Sequence, residues 1–141
     1  ISYTCVMNAC SFVGEDASNA DRLHALQILV TVMEEIQRCA SCHPDSSVYA
    51  TFFKACSKLM PLQKKHDHNN NNNNIRDAIV EKAFRQCCEN GQINLFVLES
   101  FRLASSPDLY TKKLAQFFPD TERKFGLKHL PRDWTRNVKD R

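Results

Sequence analysis

SVYATFFKACSKL, residues 47–59, is a partial copy of SYTCVMNACSFVG, residues 2–14. Tyr49 follows Tyr3 by 46 residues, Cys56 follows Cys10 by the same 46, and KACS (54–57) matches NACS (8–11). A helical unit repeated at a constant offset buries its apolar face mainly against its neighbours, so the two copies predict stacked helix pairs.

The sequence around the copies agrees. In ADRLHALQILVTVMEEIQR (20–38), Leu23, Leu26, Val30, Met33 and Ile36 recur at spacings of three and four, with Asn19 placed to cap the helix. Residues 2–14 give a shorter helix with Val6, Cys10 and Val13 on one side and Gly14 at its end. Residues 47–59 give a third, stopped by Pro61. IRDAIVEKAFRQCCENG (75–91) sets Ile75, Ile79 and Cys87 on a stripe, 93–105 is largely apolar, and 106–118 opens with Ser106 as cap and Pro107 at the first helical position. The three glycines and five prolines all fall between these segments, and nothing alternates with period two.

The expected fold is therefore all-α: an α-solenoid of stacked antiparallel helix pairs, about six helices in all, with a short irregular basic tail. The repeat domain spans 1–118, in units of about 1–45, 46–92 and 93–118. A flexible Asn-rich insertion is expected at 61–74, where six consecutive Asn favour no packed element, and 119–141 is the tail, with Leu130 and Trp134 as its docking residues.

Composition narrows the function. The chain has 141 residues, 43% hydrophobic and 25% charged, which is globular rather than disordered. No apolar run approaches the ~18 residues of a membrane span. It opens on Ile1 within a patterned segment, which reads as a fragment or processed product with any targeting peptide lying outside it. Residues 1–110 hold 10 basic and 12 acidic side chains, a balance of −2, whereas 111–141 hold 9 and 4, a balance of +5. A basic tail suits a polyanion. Seven cysteines, an odd number scattered through helical sequence, fit reduced thiols, with Cys10, Cys56 and Cys87 serving as small hydrophobes.

CASCH, residues 39–43, matches the C-x-x-C-H of covalently attached haem. The match ends a long amphipathic helix and runs directly into Pro44-Asp45, so thiols in a linker explain it better. A structural zinc needs a second C-x-x-C, and Cys87-Cys88 are adjacent. No Gly-rich phosphate loop, nucleophile elbow or H-E-x-x-H occurs, so no enzyme, cofactor, metal or small-molecule substrate is expected.

The repeated unit itself resembles the pentatricopeptide repeat family: an aromatic-led first helix, an Ala-Leu second helix ending near Met, and a closing Pro-Asp, filled here by Tyr3, Ala25, Leu26, Met33, Pro44 and Asp45. The unit exceeds the family's roughly 35 residues through EDASNA (15–20) and the RCASCH turn (38–43). The likeness is good over 1–60, degenerate over 75–118, and does not cover the tail. Tetratricopeptide repeats rank second.

The resemblance implies a eukaryotic mitochondrial or plastid protein that binds single-stranded RNA, about one base per repeat, in RNA processing, stability or translation. It pairs Thr4 with Asp45 on one base, and this combination looks like a guanine reader. An ionised Asp only accepts hydrogen bonds, which suits the N–H donors of guanine. Ala50 stands in the place of Thr4 in the second unit, Ile1 in the place of an aliphatic wedge against the base, and Lys54 and Lys58 face phosphates. The alternative is a helical-repeat scaffold that binds proteins and no RNA.

Overall fold

Capping chemistry sets where the helices begin. The structure is a computed structural model and describes residues 3–11, 18–39, 41–59, 71–117 and 127–138. Among these the α-helices are α1 (Tyr3–Ser11), α2 (Asn19–Arg38), α3 (Ser46–Leu59), α4 (Asn71–Glu89), α5 (Leu95–Ala104), α6 (Pro107–Leu114) and α7 (Arg132–Thr135), with single 3₁₀ turns at Ala115–Phe117 and Leu127–His129. No strand occurs among the described residues, and the protein is all-α. No helix among them is long and apolar enough to cross a membrane.

Ser18 caps α2, its hydroxyl accepting from the Asp21 N–H at 3.1 Å, so the cap lies one residue before the expected Asn19. Asn94 and Ser106 cap α5 and α6 in the same way, and Pro107 takes the first position of α6, where its missing N–H costs nothing. Of the expected Asn-rich insertion at 61–74, residues 61–70 lie outside the described residues, and the remainder departs from expectation. Asn71–Asn74 form the first turn of α4 instead of ending a loop. The first four N–H groups of any helix lack intrahelical partners, so a polar run is tolerated there more readily than inside the helix.

The two copies of the repeated segment are direct neighbours. α1 packs on α3, α3 packs on α5, and α2 and α4 contact the same row. Inside it Phe53 meets the edge of Phe101 at 5.6 Å, and Phe84 stacks on Phe101 at 4.0 Å. Cys10, Cys56 and Cys87 are buried as expected. The stripes are rotated, however. On α2 the buried line is Leu26, Leu29, Met33 and Ile36, with Val30 at its margin and Leu23 57% exposed. On α4 Ile75 is 53% exposed, and its neighbour Arg76 is buried in its place.

Arg76 and Asp77 clamp the joint between α5 and α6. Arg76 Nε donates to the Ala104 carbonyl and Nη2 to the Leu103 carbonyl at 2.7 Å, so a cation closes the electronegative end of α5. Asp77 Oδ1 accepts from the Ser106 N–H at 3.0 Å, and Oδ2 accepts from its hydroxyl, placing an anion at the start of α6. Burial lowers the pKa of Arg76, the adjacent Asp77 carboxylate works against that shift, and the two carbonyls meet its N–H groups.

The C-terminal segment docks on α4. Leu130 is buried, and Trp134 meets the edges of Phe84 at 5.8 Å and Phe117 at 5.1 Å. The Ile93 N–H donates to the Trp134 carbonyl at 2.8 Å and the Asn137 N–H to the Gly91 carbonyl at 2.9 Å. Gly91 has φ +67°, and a Cβ there would stand 2.6 Å from Arg136 Cγ, so only glycine fits.

Arg76→Ala should lower unfolding free energy by about 3 kcal/mol, because it leaves two helix-end carbonyls without donors and opens a void. Denaturant titration checks this. A loss below about 1 kcal/mol would mean that the clamp does not hold the joint.

Candidate nucleic-acid interface

The second repeat unit starts at a tightly specified seam. Asp45 Oδ1 accepts from the Val48 N–H at 3.0 Å, which makes Asp45 the cap of α3, and its backbone carbonyl takes the Tyr49 N–H. Ser46 donates its hydroxyl to the Gln92 carbonyl at 2.8 Å. Tyr49 is fully buried and its hydroxyl accepts from Asn90 Nδ2 at 2.6 Å; burial pushes its pKa up to about 12. Both contacts seat the start of α3 against the turn between α4 and α5.

The residues expected to meet RNA divide by position. Asp45 is exposed, with one oxygen fixed by the cap and the other meeting no donor among the described residues. Thr4 is half-buried in the first turn of α1, on the helix that packs against α3. Ala50 is a correction: it is fully buried in the α3 core face, where its small side chain lets a neighbouring helix approach, so no base can reach it. Ile1 lies outside the described residues.

Lys54 and Lys58 are both exposed, one turn apart on α3. The Lys54 ammonium lies 4.1 Å from the centroid of the Phe96 ring, a cation–π contact that ties α3 to the start of α5. Lys58 falls in the last turn of α3, where its charge complements the helix dipole. Phe96, 48% exposed, is the aromatic partner that sequence pattern alone does not single out, since it sits within a run of apolar residues.

A cleft of about 670 Å³ opens on the other side of the seam, between the α2–α3 turn, the end of α4 and the docked C-terminal segment. Gln37 and Gln86 join side chains across it. Arg136 donates to the Glu89 carbonyl at 2.6 Å and Asn137 Nδ2 to the Asn90 carbonyl at 2.8 Å, closing the end of α4. Cys39, Cys42 and His43 lie along its rim. No group of three or more His, Cys, Asp or Glu side chains is arranged to hold a metal ion among the described residues.

With this geometry in hand, comparison of the chain with protein-family models, with curated proteins and with solved structures returns no match.

Asp45→Ala should cost about 1 kcal/mol through loss of the α3 cap, whereas Asp45→Asn, an equally good cap, should stay within a few tenths. Thermal unfolding of the two variants checks this, and equal losses would show that the cap does not hold α3.

Proposed function

We propose that the chain is a helical-repeat module that binds single-stranded RNA in the manner of the pentatricopeptide proteins it resembles, serving RNA processing, stability or translation in a mitochondrion or plastid. The observation that carries this reading is Asp45: exposed at the seam between two repeated units, its carboxylate is oriented by the Val48 N–H and keeps a second oxygen for a base edge. The row of α1, α3 and α5 supports a solenoid in which first helices line one groove. Lys54 and Lys58 add positive charge on the middle helix of that row.

Ala50 is buried, so the second unit brings no base reader, and recognition concentrates on Thr4 with Asp45. One reader and two lysines make a weak module that gains affinity from further repeats, at ~1–3 kcal/mol per stacked base. A protein-binding scaffold is the second reading. It is favoured by Ile75 and Leu103, apolar side chains of α4 and α5 that are 53% and 62% exposed.

The test is fluorescence anisotropy with labelled uridine-rich oligonucleotides carrying one central guanine or adenine. Binding should prefer guanine and weaken with salt, with a log–log slope of about −1.4 for two phosphate contacts. Lys54→Gln with Lys58→Gln should flatten that slope for both oligonucleotides alike. Asp45→Asn, which keeps the cap but gains a donor, should erase the guanine preference, and Thr4→Asn should shift it toward pyrimidine, read with a further oligonucleotide carrying a central cytosine. Absence of binding at low salt would reject RNA recognition and leave the scaffold.

A further inference from the structure

Cys39 and Cys42 stand apart from the other cysteines. Cys10, Cys56, Cys87 and Cys88 are buried in the core, and burial raises the pKa of each, to about 12 for Cys56 and Cys88. Such thiols are held protonated and away from reagents. Cys39 and Cys42 are only half-buried, on the rim of the cleft, and both are free thiols.

Their geometry is that of a poised pair. Cys39 is the C-cap of α2, and the Cys42 N–H donates to its carbonyl at 3.2 Å. A turn closed by this bond brings the two Cα atoms within about 7 Å, inside or near the span that a disulfide bridges. The Cys42 thiol donates to Cys39 Sγ at 2.7 Å, and Ser41 Oγ lies 3.3 Å from the same sulfur. The bond from Cys42, with help from Ser41, holds the Cys39 thiol down to about 7, while the same contact pushes Cys42 up. One sulfur is thus prepared as the attacking thiolate and the other as the resolving thiol.

We propose that Cys39 and Cys42 form a reversible dithiol–disulfide couple that exchanges with a low-molecular-weight disulfide entering the cleft. The Cys39 thiolate attacks one sulfur of that disulfide, forming a mixed disulfide and expelling a small thiolate, which takes up the proton that Cys39 lost. Cys42 then attacks Cys39 Sγ, its proton passing to the second small thiolate as that leaves. The protein loses two electrons and two protons, and the small disulfide becomes two thiols. The cleft's volume, about 670 Å³, is in the range of small-ligand sites and admits a reagent such as glutathione disulfide. α2 presents its C-terminus here, whose dipole disfavours a thiolate, so the couple lacks the helix N-terminal support that makes some dithiols strong oxidants. Oxidation of the pair is correspondingly favoured. The couple is independent of any RNA reading.

Trypsin cuts after Arg38 and Lys54, and the peptide 39–54 holds Cys39 and Cys42 as its only cysteines. The reduced full chain is incubated with glutathione disulfide at neutral pH, quenched by alkylation, digested and weighed. Peptide 39–54 should emerge unalkylated and lighter by two hydrogens, while exposed Cys5 goes no further than a glutathione adduct. In Cys42→Ser the reaction should stop with glutathione on Cys39. In Cys39→Ser, Cys42 should acquire glutathione at least tenfold more slowly. Recovery of 39–54 doubly alkylated, or with glutathione on both sulfurs, would overturn the couple. Faster modification of Cys39→Ser than of Cys42→Ser would overturn the assignment of Cys39 as the attacking thiol.

Discussion

Burying a guanidinium is costly unless its donors are met, and Arg76 is almost wholly buried. The cost is offset because Arg76 faces the end of α5, where helix geometry leaves carbonyls without partners. Asp77, the next residue, does the opposite work on Ser106 at the start of α6. Two adjacent residues of opposite charge on α4 thereby fix one helix end and one helix start. Where α5 lies determines where Phe101 lies, and Phe101 is the ring that joins Phe53 of α3 to Phe84 of α4. The aromatic centre of the core depends on an ionic clamp at its edge.

The same clamp shows where sequence pattern succeeds and where it stops. The first six α-helices, their approximate bounds and the Ser106–Pro107 start are legible because capping and periodicity act locally, whereas the four-residue α7, inside the expected irregular tail, is too short to show a period. The exact face is not. A shift of one position turns a helical stripe by about 100°, which is how Leu29 rather than Val30 comes to be fully buried, and Arg76 rather than Ile75. Hydrophobicity alone cannot choose Arg76 over Ile75, because the choice is made by two carbonyls at the far end of a helix some 28 residues later. Ala50 misleads in a related way: its place in the repeat points to the groove, but an alanine between packed helices is a contact residue of the core. The carboxylate of Asp45 is legible through its position after Pro44, and the thiols beside it only as a motif. Their reactivity depends on a turn that the spacing permits but does not dictate.

Charge is best judged by where it is spent. The C-terminal segment is rich in basic residues, which by itself suits a polyanion. Yet Arg136 is committed to the Glu89 carbonyl at the end of α4, and Lys113 of α6 lies 2.9 Å from Glu81, whose carboxyl it holds below its ordinary pKa. These cations serve the fold by closing a helix and tying α6 to α4. Excess charge counted along the chain therefore overstates what a nucleic acid would meet, since each committed cation releases few counterions on binding. Lys54 on α3 is of another kind: it is steadied over the Phe96 ring instead of a carboxylate. A cation held by a ring keeps its full charge and most of its hydration, and can turn toward a phosphate without leaving an acid unpaired. That difference, more than the net charge of +3, is what the proposed RNA reading draws on.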